Sequence, residues 1–457
     1  MNKFERYFKY DFHSVKLEYF YLYIAIAAIV ALVIVLRSES KYKLEMFFLS
    51  LYLLTGSLNV LLNFKIPGIS FFEMQPIRVV YLLLLLRIIR NRLFSKTKTS
   101  LSDTVKIPWF VFALIGYILF LTISVLYTQV EKGYVTIIDS VAFIILIYGV
   151  RELKDQASYD LIGKSIVIGA IVSSVVSIIQ ITIDPYFLRI GDDRAAFGSL
   201  IRSNGIFNTE YFNSYYLIIA ISWVLATTKR NSLKLVLVTL FALGVITSFQ
   251  RMSWVILFLV LVSYLVYIQK ISFEKLFFGV FLGLSFILFV SVFYYQDIMK
   301  SSLVKERLTD SVDGRQGYYS FVLNSIGDKP VLGFGDLHNE VYYENLLRIT
   351  GHRERATAEE GDLHSGYFMA MFQYGIPAFI CFLTFVILAL LYYASLVKQG
   401  IYFMVPFMVS ILFLIGNLTN TFLFLKYLAI LFAIHIGIGM GIKQIQVDQL
   451  KNINHTS

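Results

Sequence analysis

Charge is what this chain has least of: 15% of its 457 residues are Asp, Glu, Lys or Arg, against 58% hydrophobic and 16% aromatic. So few charged side chains cannot coat a water-facing globule of this length, which excludes a soluble domain. Cysteine occurs once, at Cys381, so the chain holds neither a disulfide framework nor a Cys-based metal site, and the redox compartment stays open. The six histidines never fall at i, i+3 or i+4 spacing, the pattern that puts two metal ligands on one helix face. Phosphate loops, dinucleotide fingerprints and zinc-protease helices are missing too. Asp192 and Asp193 are adjacent rather than spaced as in nucleotide-sugar enzymes, and read as loop solvation.

What is present in quantity is apolar run after apolar run. Stretches of roughly 16 to 23 residues recur, each long enough to cross a hydrocarbon core of roughly 30 Å as a helix. The mean hydropathy is +0.71. The predicted spans are 19–36, 44–62, 74–89, 107–128, 134–150, 161–183, 213–227, 235–250, 252–269, 276–294, 366–393, 401–416 and 421–441. An all-α integral membrane protein follows, with about 12–13 transmembrane helices, because a backbone in lipid must satisfy its own hydrogen bonds. The domain order is a block of ten spans over 1–294, one large loop with short helices over 295–365, C-terminal spans over 366–442 and a tail over 443–457.

The net charge of +10 does not argue for nucleic acid, because the basic residues punctuate loops instead of sharing a face. Arg37, Lys41, Lys43, Arg87, Arg90, Arg92, Arg151, Lys154, Lys229, Arg230, Lys234, Lys270 and Lys275 fall on one side if the spans alternate. The positive-inside rule makes that side cytoplasmic and the 184–212 and 295–364 loops extracytoplasmic. Thirteen spans put the N-terminus outside, yet Lys3, Arg6, Lys9 and Lys16 are charges of a cytoplasmic end. The count is therefore twelve or thirteen.

A loop of the size of 295–365 is uncommon unless it works. It carries His338, His352 and His364. Pro330, Gly333 and Gly335 predict a turn in DKPVLGFG, flanked by helical periodicity after Asp313 and over 337–350. Three arginines stand on the same outer side at or near span ends: Arg202 in IRSNGIF, Arg251 in SFQRMSW and Arg315 in DGRQGYY. A guanidinium at that depth calls for an anionic partner, and a diphosphate offers several oxygens for bidentate contact. Each arginine taken singly also reads as a snorkelling head-group contact. His364, at the start of the span from Gly366, is a candidate general base, with His338 as a rival and a structural role as the plainer alternative.

These elements resemble the O-antigen ligase and Wzy-type O-antigen polymerase superfamily of bacterial surface-polysaccharide assembly. His364-Ser365 is followed after nine residues by Gly375, as in the ligase pattern, with Ala378 departing at its last position. RSNGIF at 202–207 is similar to the family's Arg-x-x-Gly-x-Phe element, and TSFQRMSW to its Ser-Arg element with Gln250 where Ser is usual. DGRQGYY and PVLGFG look like its Gly-Arg and Pro-x-x-Gly-x-Gly elements.

The resemblance implies a fold of the GT-C kind and a multi-pass protein of the bacterial cytoplasmic (inner) membrane with its active site outside. The implied activity is an inverting glycosyl transfer from undecaprenyl-diphosphate-linked glycans, without metal, nucleotide sugar or other cofactor. Arg202, Arg251 and Arg315 would bind the diphosphate and His364 would be the base, with His338 and Lys426 as further candidates. Partners would be the lipid-linked donor, a glycan acceptor, membrane lipids, and a chain-length regulator and flippase of the same pathway. Polymerase, ligase, and a flippase or secondary transporter are the competing readings. The last predicts midplane polar residues and internal repeats. Asp139, Asn417, Asn420, Lys426 and His435 are the residues it would use, and matching halves are lacking.

Overall fold

The computed structural model describes residues 17–62, 64–65, 73–94, 107–129, 133–189, 196–197, 200–272, 319, 322–335, 365–421 and 426–456. Among them the long helices are α1 Leu17–Arg37, α2 Lys43–Thr55, α3 Pro76–Phe94, α4 Trp109–Thr128, α5 Gly133–Arg151 and α6 Gln156–Thr182. They continue as α7 Glu210–Thr227, α8 Asn231–Thr247, α9 Arg251–Tyr267, α10 Gly366–Leu396, α11 Met404–Gly416 and α12 Lys426–Thr456. Six of these helices, α1, α4, α5, α6, α10 and α12, are long and apolar enough to cross a membrane. Two short antiparallel pairings, Phe64–Lys65 with Glu73–Met74 and Ala196–Phe197 with Leu200–Ile201, close loops.

The residue pattern is that of a protein whose solvent is lipid. On α1 the exposed side chains include Leu22, Ile26, Ile29, Val33 and Leu36, at helical spacing, and on α4 they include Phe112, Ile115, Leu119, Ile123 and Leu126. Polar groups lie inside: Ser165, Ser173, Ser177 and Gln180 of α6 are all fully buried. The interior is centred on α12, whose apolar stretch is 89% buried. Small residues permit that depth. A Cβ at Gly437 would stand 2.6 Å from the Ile147 carbonyl, and one at Gly441 would stand 1.8 Å from the Tyr159 hydroxyl.

Several spans differ from the sequence expectation for local reasons. The 44–62 run leaves α-helix at Thr55 and continues as a 3-10 turn over Gly56–Leu62. Gly56 has a φ of 55° and lies against Ile206 and Phe207. The 366–393 run is two helical pieces joined at Gly375, where φ is 89° and ψ 170°, two residues before Pro377. The final helix passes through the 443–456 segment instead of stopping near 441. The 276–294 span lies outside the described residues, as do most of the 295–364 loop and both of its predicted helical flanks except 319 and 322–326.

Side-chain contacts sort the helix ends into two groups. At one end Ser40 meets Ser158, Arg87 meets Glu45, Arg151 meets Gln444 and Lys443 meets Gln399. At the other, Ser57 meets Asn208, Ser124 meets Leu332, and the 417–420 turn meets Gly366. Arg37, Lys43, Arg87, Arg151 and Lys443 share the first end, and Arg202 and Arg251 share the second, as alternation of the spans predicts.

Candidate active site

The Arg202 turn is built from α6. Ser173, Ser177 and Gln180 are spaced four and three residues apart and so share one helix face. The Ser173 hydroxyl donates to Asn213 Oδ1 at 2.7 Å and accepts from the Ile206 amide at 3.2 Å. Asn213 Nδ2 in turn donates to Ser177 at 2.9 Å. Gln180 Nε2 donates to the carbonyls of Phe187 (2.9 Å) and Gly205 (3.0 Å), and its Oε1 accepts from the amides of Asn204 (2.9 Å) and Gly205 (3.0 Å). Gly205 is left-handed, with φ 56°, and a Cβ there would lie 2.2 Å from the Ser173 hydroxyl. The glycine of RSNGIF is thus required both by backbone conformation and by space.

The turn presents Arg202, whose Nη1 donates to Glu210 Oε1 at 2.7 Å, with the two side chains 15% and 17% exposed. Part of the anionic partnership expected for Arg202 is therefore supplied by the chain itself, from the first turn of α7. Arg189, buried, donates to the carbonyls of Arg202 and of Pro185.

Ser203 carries the turn to α8: its amide donates to the Thr247 carbonyl at 3.1 Å and its hydroxyl meets that of Thr247 at 2.9 Å. After Thr247 the chain reverses through Phe249, with φ 52°, and α9 begins at Arg251, which is exposed. Gln250, the departure from the family's Ser, is a junction. Its Oε1 accepts from Ser214 at 2.9 Å and Ser253 at 2.6 Å, and its Nε2 donates to the Tyr215 hydroxyl at 3.2 Å. Asn420 Nδ2 donates to that same hydroxyl at 2.9 Å. The carbonyls of Asn417 and Asn420 both accept from the Gly366 amide at 2.9 Å. Ser365 donates to Asn417 O at 3.1 Å and caps α10. A continuous path of hydrogen bonds and short chain segments therefore runs from Arg202 through Gln250, next to Arg251, to the residues that follow His364.

The PVLGFG loop is fixed to the same end. Phe334 and Gly335 amides donate to the carbonyls of Phe372 and Gln373 at 2.9 Å, and the Ile376 amide donates to the Pro330 carbonyl at 2.8 Å. The expected turn is present, with Gly333 and Gly335 at φ 64° and 82°. Gly375, the glycine of the ligase-like pattern, opens α10 so that this loop can pair with it; a Cβ there would stand 2.1 Å from the Val331 carbonyl. Tyr319, four residues beyond Arg315, stacks on Phe368 at 4.5 Å and donates to the Leu418 carbonyl at 3.3 Å.

His364, His338 and Arg315 themselves lie outside the described residues, as does the side chain of Lys426, whose backbone starts α12. Asp139 of α5 is close enough to Tyr81 of α3 to act on it electrostatically. His435 is enclosed in the middle of α12, bonded to Trp223 and Leu431. Sequence reasoning missed Gln180, Arg189 and Glu210. The signal for Gln180 was legible: an amide in line with two serines on one face of an otherwise apolar helix.

Residues 216–383 match the family model described as O-antigen ligase. That match, over less than half of the chain, supports the resemblance to the O-antigen ligase and polymerase superfamily. It runs from α7 into α10 and so contains Arg251, Arg315, PVLGFG and the His364–Ala378 pattern, while Arg202 and Lys426 lie outside it. No curated protein matches the chain significantly. A multi-pass membrane enzyme of the O-antigen ligase or polymerase type, catalysing glycosyl transfer in the general sense, is what family and fold together support.

Proposed function

We propose that this protein polymerises undecaprenyl-diphosphate-linked oligosaccharide repeat units into a surface polysaccharide, at the outer face of a bacterial cytoplasmic membrane. The observation that supports it is the hydrogen-bonded path joining the Arg202 turn, the Arg251 turn and the start of α10, because it ties two of the proposed diphosphate-binding arginines and the residue after the proposed base to one end of the bundle. The acceptor hydroxyl oxygen attacks the anomeric carbon of the donor as the bond from that carbon to the diphosphate breaks, inverting the centre. The electron pair leaves on the phosphate oxygen. Arg202, Arg251 and Arg315 stabilise that charge, an effect worth about 3 kcal/mol per well-aimed donor. His364, next to the capping Ser365, takes the hydroxyl proton. Glu210 holds Arg202 in the meantime through its Nη1, and a diphosphate offers the guanidinium a two-point contact.

The ligase reading uses the same chemistry with a different acceptor, and the family description favours keeping it. Glycan analysis of a strain lacking the gene separates the two. Loss of polymer with single repeat units still transferred to the surface acceptor identifies a polymerase. Long chains retained on the lipid carrier identify a ligase. Unchanged glycans would refute both.

A further inference from the structure

We infer that Gln180 is a positioning residue for diphosphate recognition, acting through Arg202. The inference rests on the reading that Arg202 binds the donor diphosphate. A glutamine side chain has two N–H donors and two acceptor lone pairs. Here all four are used, and all on backbone: Phe187 O and Gly205 O accept, Asn204 N and Gly205 N donate. No helix or sheet contains these loop groups, so without Gln180 those of Asn204 and Gly205 would be buried polar atoms lacking these partners, and the Phe187 carbonyl would lose its tie to α6. The carboxamide is fully buried, which bars it from touching substrate.

Its consequence is geometric. The two ends of the outer loop, at Phe187 and at Asn204–Gly205, are tied to one point on α6. Arg189, two residues after Phe187, reaches across and donates to the Arg202 carbonyl. Ser203 anchors the other flank to α8. The backbone of Arg202 is therefore held from three directions, and the Gln180 clamp fixes two of them. A guanidinium that must meet a diphosphate bidentately gains most from such a fixed base, since its own chain is long and rotamer-rich.

Because misplacement by about 1 Å can cost on the order of a hundredfold, the clamp predicts a large effect at a residue that meets no ligand. Undecaprenyl diphosphate binding is measured on the full-length detergent-purified protein, as wild type, Gln180→Met, Gln180→Glu, Arg202→Ala and the Gln180→Met/Arg202→Ala double variant. Gln180→Met removes all four bonds and should weaken binding by about tenfold or more. Gln180→Glu retains the two accepted bonds but sets a carboxyl oxygen against the Phe187 and Gly205 carbonyls in a fully buried site, so it should also weaken binding. The double variant should bind no worse than Arg202→Ala alone, since a positioning residue has nothing left to position. Gly205→Ala distorts the same turn from the opposite side and should reproduce the Gln180→Met loss, which keeps the test available if the methionine variant does not fold.

Wild-type affinity in Gln180→Met, or losses that multiply in the double variant, would overturn the inference while leaving the diphosphate site standing. Wild-type affinity in Arg202→Ala would instead remove the site reading on which the inference depends.

Discussion

The two ends of this helical bundle solve the same problem differently. At the basic end the polar groups are finished by the chain. Glu45 takes the Arg87 guanidinium, which also lies 3.8 Å from the centre of the Tyr42 ring. Lys43 donates to the Val35 carbonyl at 2.9 Å near the end of α1, where a cation suits the helix dipole. Ser40 and Ser158 close on each other at 2.7 Å. Positive φ occurs at both ends, at Lys154 and Lys270 on the basic one, but at the Arg202–Arg251 end it recurs at Gly205, Phe249, Gly333, Gly335 and Gly375, in the turns of the motif segments. Buried amide atoms of Asn204, Gln373 and Asn417 have no hydrogen-bond partner among the described residues. One end is organised as an anchor. The other holds irregular backbone at membrane depth, which is tolerated where protein encloses it, and it carries buried unsatisfied groups, for which a functional role is one explanation.

The strongest way to break this contrast is His364→Ala. If the irregular end is the catalytic one, the variant should abolish long surface polysaccharide while inserting at normal levels, read by glycan ladders beside a membrane immunoblot. Normal chain length would remove the proposed base. Next in size is Arg251→Lys, which keeps the charge but not the guanidinium fork. Polymer synthesis should fall by on the order of a hundredfold, the worth of one lost transition-state donor. Retained synthesis would recast Arg251, exposed at the start of α9, as a head-group contact.

Much of this contrast was legible in the sequence, and the rest was hidden for identifiable reasons. Apolar run length and the alternation of basic loops located most helices and sorted Arg202 and Arg251 to one end, because lipid solvation imposes a simple length rule. The break at Gly375 was not foreseen. Gly375 and Pro377 are the local signal for it, hidden by a hydropathy that continues across them, and the PVLGFG loop adds a tertiary cause by pairing with the backbone that α10 exposes there. Gln250 read as a flaw in a motif because a pattern registers residue type, whereas its reach to Ser214, Ser253 and Tyr215 is a property of the packed bundle. Glu210 was invisible as the partner of Arg202 for the opposite reason: eight residues apart across a turn, the two charges carry no spacing signal.

The basic end supplies a prediction of another kind. Glu45→Gln removes the charge that meets Arg87 while keeping its shape, and should lower stability by about 1–3 kcal/mol, the cost of a poorly satisfied, partly buried charge. Polymer made per folded molecule should not change. Thermal unfolding in detergent together with activity normalised to folded protein checks both halves. Altered chain length at equal protein would mean that the two ends are coupled rather than separate.

The smallest expected effect falls between the ends, at His435. An indole N–H can only donate and a carbonyl can only accept. Trp223 Nε1 at 2.9 Å from Nε2 and the Leu431 carbonyl at 2.6 Å from Nδ1 therefore fix a neutral imidazole with its proton on Nδ1. Protonating Nε2 would set two donors face to face in a site that is fully buried. The residue that a transporter reading would recruit as a proton carrier is thus a tie between α7 and α12. Trp223→Phe should cost about 1 kcal/mol from the lost hydrogen bond, plus a packing term from the smaller ring, and leave chain length and its pH dependence unchanged. A changed pH profile in that variant would reopen the proton-carrier role, since a purely structural tie has no means of moving it.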